Sequence, residues 1–226
     1  PDSQQRFYES EKSKVRNLIL DNIRSQGIER SSIIILQSLT RLRQIASHPV
    51  LIDANFEASS GKYEVVLDNI ENILAEKHKA LIFSSFVKHL KLFTDYCDQK
   101  AITYRILTGE TRNRQDIISE FQHDDATRLF FISIKAGGFG LNLTAADYVL
   151  LLDPWWNPAV EDQAVSRAHR IGQNKNVFIY RFITRNTIEE KMLKLQEKKS
   201  KLADIFKGTG NVFKNISEEQ IIELLN

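Results

Sequence analysis

The sequence predicts an α/β fold: a doubly wound, mainly parallel sheet with helices on both faces, extended by helical appendages at its N- and C-terminal ends. Three observations predict it. Four short, continuous apolar runs, Ala80–Phe83, Leu129–Ile132, Val149–Leu152 and Val177–Tyr180, have the texture of strands buried on both faces. Amphipathic stretches at roughly 87–99, 112–122 and 158–170 alternate with them, as helices alternate with strands in a parallel sheet. The first fifty residues, and those past Asn186, carry apolar residues at helical rather than alternating spacing.

In chain order, Phe7, Val15, Leu18, Ile19 and Ile23 define a first helix over Gln4–Ile23, which Gly27 is suited to stop. A second helix is expected from an N-cap at Ser31 or Ser32 through Ile45, ended by Pro49. Residues 53–61 have loop chemistry and mark the best internal boundary, so the expected divisions are 1–58, 59–186 and 187–226. The α/β part follows, with a shorter β-like run at 102–106 beside the four main strands. Helix resumes after Asn186 to about Phe206, and a short last helix fits Ser217–Leu225. No internal repeat is present.

Composition narrows the class. The chain has 226 residues, 42% of them apolar, which is enough for a sizeable core and excludes disordered and low-complexity classes. Lys plus Arg number 31 and Asp plus Glu 29, a net charge of +2 that neither requires nor excludes nucleic acid. Cys97 is the only cysteine, which excludes a disulfide framework and a cysteine-rich zinc site. No apolar run approaches the roughly 18 residues that a membrane-spanning helix needs, and no signal peptide is visible. The chain opens on Pro1-Asp2 without Met, so a soluble, intracellular piece of a longer protein is expected.

The most informative segment is Asp153-Pro-Trp-Trp-Asn-Pro158 and the stretch to Gln173. Asn157 suits an N-cap, Pro158 a first helical turn and Gly172 a stop, so a helix begins just after a strand, where ligands of open α/β sheets collect. Gln163, Arg167 and Arg170 follow at spacings of four and three and share one face. Two guanidinium forks on one face can clamp a phosphate chain, or can equally sit in surface salt bridges. Ala164 and Ala168 give a small-residue stripe for close packing. Upstream, Gly137, Gly138 and Gly140 form a glycine-rich loop directly after a strand that ends in Ser133 and Lys135, able to bring backbone N–H groups near an anion or simply to turn.

Taken in order, these segments resemble the second, C-terminal RecA-like lobe of the Swi/Snf family of helicase-superfamily-two ATPases. Leu39–Pro49 resembles the inter-lobe helix ending in His-Pro, with Ala46 where the family often has Cys. Ser60-Gly-Lys62 and Lys79–Phe86 resemble the start of the lobe and its motif IV. Leu107–Thr111 with Arg114 and Phe121 resembles the segment after the second strand. Ser133–Leu143 resembles motif V, Asp153–Pro158 the extension after it, and Gln163–Gln173 motif VI with its Ile-Gly-Gln tail. A Walker A loop is absent, since the only Gly-Lys pair, Gly61-Lys62, is followed by Tyr63 and preceded by Phe56 where that loop needs glycine. No Asp-Glu-Ala-His-type box occurs either.

The resemblance implies roles. Arg167 and Arg170 would be arginine fingers on ATP that, with Mg²⁺, is held mainly by a first lobe outside this sequence. Gln163 would orient them or bind phosphate, or be a plain surface glutamine. His169 would be a structural hydrogen-bonder. Gly138 and Gly140 would let motif V approach nucleotide and DNA together. Ser84, Thr111, Ser133 and Lys135 match positions that touch phosphates of the tracked strand, although any one could be a cap or a surface residue. Trp156 matches a tryptophan that meets DNA, with Trp155 in the core. The helix 187–206 has three readings, as a DNA contact, a solvated charged face or a brace across both lobes. The brace is favoured, with Ile188, Met192, Leu195 and Leu202 as its stripe.

The implied partners are double-stranded DNA and the first lobe of the same parent, with no membrane and a monomeric fragment. The location would be the nucleus in a eukaryote, and the cytoplasm or nucleoid in a bacterium or archaeon. As part of a DNA-dependent ATPase, the fragment alone is expected to be inactive. The competing readings are an RNA or strand-separating helicase lobe and a non-catalytic interaction module.

Overall fold

The structure, a computed structural model, describes residues 1–136, 143–166, 176–198 and 217–225. In chain order they form α1 (Asp2–Gln26), α2 (Ile28–Ser47), a 3₁₀ turn (Pro49–Leu51), α3 (Gly61–Ala75), β1 (Ala80–Ser84), α4 (Val87–Gln99) and β2 (Tyr104–Leu107). Then follow α5 (Arg114–His123), β3 (Leu129–Ser133), β4 (Tyr148–Leu151), α6 (Pro158–Val165), β5 (Phe178–Arg181), α7 (Ile188–Lys198) and α8 (Glu218–Leu225). The chain divides into two units, one made of Pro1–Tyr63, Trp156–Pro158 and Ile183–Asn226, the other of Glu64–Trp155 and Ala159–Phe182.

The first unit is helical. Gly27, at φ +79°, ends α1 and admits the turn into α2, which packs along it. Ile19, Ile35, Leu39, Leu42 and Ile45 are fully buried there and share a core with Ile188 and Met192 of α7 and with Ile221, Leu224 and Leu225 of α8. Apolar residues expected to line a brace thus include two that are buried; the Leu195 side chain and Leu202 lie outside what is described. The expected serine cap of α2 is corrected. The helix starts at Ile28, and Ser31 sits one turn inside it with its hydroxyl donating to the Gly27 carbonyl at 2.8 Å.

Two polar anchors hold this unit. Lys62 Nζ lies 2.6 Å from both carboxylate oxygens of Glu189, with side-chain exposures of 2% and 0%. The same carboxylate accepts the Thr184 N–H at 2.9 Å and the Ser47 hydroxyl at 3.4 Å. Gln4 donates to the Ile45 and Ala46 carbonyls at 3.2 and 3.3 Å and accepts the Gly61 N–H at 3.2 Å. The end of α2 is fixed by His48, whose Nδ1 accepts the Val50 N–H at 3.2 Å, and whose pKa burial pushes down.

The second unit is the sheet. All its pairings are parallel, in the order β2-β3-β1-β4-β5. The path from β1 to β2 runs one way across the sheet and the later crossovers run the other, so right-handed connections place helices on both faces. On one face Leu81, Phe83, Phe130, Ile132, Val149 and Leu151 pack with Ile118 and Phe121 of α5 and Ala164 of α6. Ile82, Phe131 and Leu150 point to the other face, where α4 lies on β1 and β3 and buries Leu90, Phe93 and Cys97.

Two differences from expectation have physical causes. No helix was expected at 61–75, yet α3 is there, with Val66, Ile70 and Ile73 buried at spacings of four and three. The run at 177–180 was expected to be buried on both faces. Instead, β5 is an edge strand that pairs, among the described residues, with β4 alone, and Phe178, Ile179 and Tyr180 are each 40–48% exposed. Among the described residues no helix is long and apolar enough to cross a membrane.

Candidate functional site

The carboxyl ends of the parallel strands lie along one edge, because Ser84 is in register with Ser133, Phe83 with Leu151 and Leu107 with Ile132. The crossover leaving β1 and the one leaving β4 run in opposite directions, so the edge between these strands is the switch point where ligands of doubly wound sheets bind.

At that point a buried carboxylate joins the two strands. Asp153 Oδ2 accepts the Ser84 hydroxyl at 2.5 Å and the Ser85 N–H at 3.1 Å, and Oδ1 accepts the Ser85 N–H at 3.2 Å and the Ser85 hydroxyl. Ser84 is fully buried, and its oxygen also accepts the Phe86 N–H at 3.1 Å, with His89 Nδ1 at 3.4 Å. The Ser84 carbonyl accepts the Ile134 N–H at 3.0 Å, joining β1 to the turn that follows β3. Lys135 is exposed on that turn, whereas Ser133 is buried at its root and its hydroxyl oxygen accepts the Ala136 N–H at 3.4 Å.

Beyond β2, the Thr111 hydroxyl oxygen accepts the Thr108 N–H at 2.9 Å, and Arg114 Nε donates to the Thr111 carbonyl at 3.3 Å. The structure thus brings Ser84, Thr111, Ser133 and Lys135 to one edge of the sheet, with Lys135 the most open of the four and Ser84 held inside.

The second half of the site starts at α6. Glu161 is buried, and it accepts the Trp155 N–H at 2.7 Å and Arg181 Nε at 3.3 Å. Burial raises its pKa against the lowering pull of these partners. The bond fixes the turn before the helix and ties α6 to β5. Ala164 faces the sheet core, as a small-residue stripe predicts, and Gln163 is exposed one residue earlier. Arg167, Ala168, His169, Arg170 and Gly172, and the loop with Gly137, Gly138 and Gly140, lie outside the described residues. Trp155 packs on the sheet core. In the helical unit, Trp156 is half-buried with the Arg43 guanidinium 5.6 Å from its ring centre. Among the described residues no group of three His, Cys, Asp or Glu side chains is placed to hold a metal ion.

Asp153 and Glu161 were not singled out from the sequence. Their signal lies in position, an acidic residue just after an apolar strand and another in the first turn of the following helix, but their partners are distant in sequence.

Residues 61–172 match the helicase conserved C-terminal domain. The Sulfolobus solfataricus SWI2/SNF2 ATPase core in complex with dsDNA is 33% identical and superposes with a TM-score of 0.79 over 99% of this chain and 47% of that one. The C-terminal domain of the Sulfolobus solfataricus SWI2/SNF2 ATPase is 31% identical, with a TM-score of 0.77 over 99% of this chain and 93% of that one. Human SWI/SNF-related matrix-associated actin-dependent regulator of chromatin subfamily A member 1 is 34% identical over 225 residues, 91% of this chain and 21% of that protein. The chain spans 15–21% of the length of the first curated relatives it matches.

Proposed function

The chain belongs to the C-terminal helicase domain of the SWI2/SNF2-family ATPases, a superfamily-two lobe of RecA-like fold, and on that premise we propose that it is the second motor lobe of an ATP-dependent translocase of double-stranded DNA. One observation carries the reading. Side chains from the ends of β1, β2 and β3 converge on the carboxyl edge of the sheet, beside the α6 segment that leads into Gln163, Arg167 and Arg170. The Thr111 hydroxyl and the exposed Lys135 suit contacts to the DNA backbone that do not depend on sequence, with the buried Ser84 and Ser133 beneath them.

In this reading Lys135 and Thr111 meet phosphates of the tracked strand, with Ser84 and Ser133 at the base of the same edge, and Trp156 also meets DNA. Arg167 and Arg170 reach the γ-phosphate of ATP, Gln163 orients them, and Gly138 and Gly140 bring the motif V backbone close to nucleotide and DNA. The other lobe supplies the phosphate loop that this sequence lacks and holds most of the ATP and Mg²⁺. Guanidinium groups at the transferring phosphoryl neutralise charge that develops in the transition state, an effect of about 10³–10⁵ in rate in other phosphoryl-transfer enzymes. Residues 1–58 act as the inter-lobe segment and 187–226 as the brace and tail. The burial of Ile188 and Met192 among α1 and α2 side chains supports that assignment.

The test uses the 226-residue chain itself. It should bind duplex DNA weakly, with affinity falling steeply as salt rises, and should hydrolyse ATP negligibly with or without DNA. Sustained ATP turnover by this chain alone would overturn the proposal.

A further inference from the structure

We propose that Asp153 positions the DNA-facing edge of the sheet, acting through Ser84 on the turn that presents Lys135; this rests on the translocase reading. A phosphate oxygen needs a donor, and the only hydroxyl proton of Ser84 is committed to Asp153 Oδ2 at 2.5 Å inside a fully buried side chain. Withdrawing it would leave a carboxylate of 1% exposure short of a donor, which costs more than one hydrogen bond to a solvated phosphate returns. Ser84 therefore serves DNA from within.

The path is continuous. Asp153 holds the Ser84 hydroxyl and the Ser85 N–H and hydroxyl, the Ser84 carbonyl holds the Ile134 N–H at 3.0 Å, and the next residue is the exposed Lys135. The carboxylate ties the end of β4 to the end of β1, a backbone hydrogen bond ties β1 to the turn after β3, and the ladder below closes with the Leu152 N–H donating to the Phe83 carbonyl at 2.9 Å.

Electrostatics makes the idea sharp, because the sign of the effect separates positioning from simple charge. Asp153 is an anion at an edge proposed to receive a polyanion. If it were only a bystander charge, Asp153→Asn would tighten DNA binding. If it positions Lys135, the same substitution weakens binding although it removes a repulsive charge.

The experiment measures the affinity of the 226-residue chain for a fluorescein-labelled duplex at low salt, for wild type, Asp153→Asn, Ser84→Ala, Lys135→Ala and the pairwise doubles. Backbone amide exchange at Ser85 and Ile134 is followed in the same proteins. Asp153→Asn is expected to weaken binding about tenfold, the loss when one charge-assisted contact is no longer aligned. Ser84→Ala should weaken binding in the same direction and add nothing in the Asp153→Asn background, and Lys135→Ala should matter less there than in wild type. Amide protection at Ser85 and Ile134 should fall by about 10- to 100-fold. Tighter binding by Asp153→Asn, fully additive effects, or unchanged protection at both amides would each overturn the proposal. Should the wild-type chain bind no duplex at all, the translocase reading fails, and the exchange data still decide whether Asp153 sets the edge: lost protection upholds the positioning, unchanged protection ends it.

Discussion

Replacing Lys62 by methionine removes an ammonium group from a site with almost no solvent and leaves the rest of the side chain's volume in place. Its partner Glu189 is fully buried, with both oxygens 2.6 Å from Nζ. Breaking a buried pair by deleting one charge costs about 3–5 kcal/mol, because the remaining ion has lost a close opposite charge in a place that solvent does not reach. Glu189 keeps other partners, among them the Thr184 N–H at 2.9 Å and the Ser47 hydroxyl at 3.4 Å, which places the expected loss near the lower end, about 3 kcal/mol. In a chain of this size that corresponds to a fall of about 6–12 °C in Tm.

The double variant Lys62→Met/Glu189→Leu removes both ions, so the desolvation cost disappears with the attraction. It should lie within about 2 kcal/mol of wild type, the remainder coming from former partners of Glu189, Thr184 and Ser47 among them. Urea unfolding followed by circular dichroism, with calorimetry for Tm, measures all four members of the cycle. A single-variant loss below about 1 kcal/mol, with the double equal to the sum of the singles, would mean that the pair is solvated and that the burial argument is wrong.

Other consequences are equally direct. Leu39→Ala opens a cavity in the fully buried helical core and should cost about 2–5 kcal/mol in the same unfolding assay. His48 is buried with its Nδ1 accepting the Val50 N–H, so its folded pKa lies below the unfolded one. Its contribution is then complete above about pH 6.5 and is lost as pH falls through the lower, folded value, where the unfolded chain binds the extra proton. Urea midpoints at pH 7 and 5.5 should therefore separate more in wild type than in His48→Gln. The Cys97 thiol has no exposed surface, and burial pushes its pKa up to about 12, so a thiol reagent at pH 8 should label it only as fast as the sheet unit opens. Labelling at the rate of a free thiol would contradict its placement on the buried face of α4.

Much of this architecture could be read from local pattern, and what could not has a common cause. The strands β1, β3 and β4 announce themselves as unbroken apolar runs because both of their faces are covered. The β5 run looks the same in sequence, but an apolar run reports what a strand can bury, not where topology places it, and the strand order puts β5 at an edge. The residues of α3 carry helical spacing in Val66, Ile70 and Ile73, a signal present but obscured by the neighbouring Val65 and Leu67. Ser31 has the chemistry of a cap and sits within a turn of the true helix start, where Gly27 makes the break instead.

The strand-end placement of Ser133 and Lys135 is legible in the apolar run that precedes them, whereas Thr111 enters only through the family resemblance. The withdrawal of Ser84 into the protein could not, because its partner Asp153 is 69 residues away, and Lys62 and Glu189 are separated by 127. Buried polar pairs of this kind are chosen by the fold, and no local period encodes them.

In the proposed function this lobe completes an ATP site with its two motif VI arginines and couples it to duplex DNA. The most direct test is ATP hydrolysis by the two-lobed protein containing this chain, with and without duplex DNA, for wild type, Arg167→Ala and Arg170→Ala. Strong stimulation by duplex is expected in wild type, reduced by about 10³-fold or more in the arginine variants while DNA binding survives. Duplex-stimulated turnover that persists at the wild-type rate in both variants would contradict it.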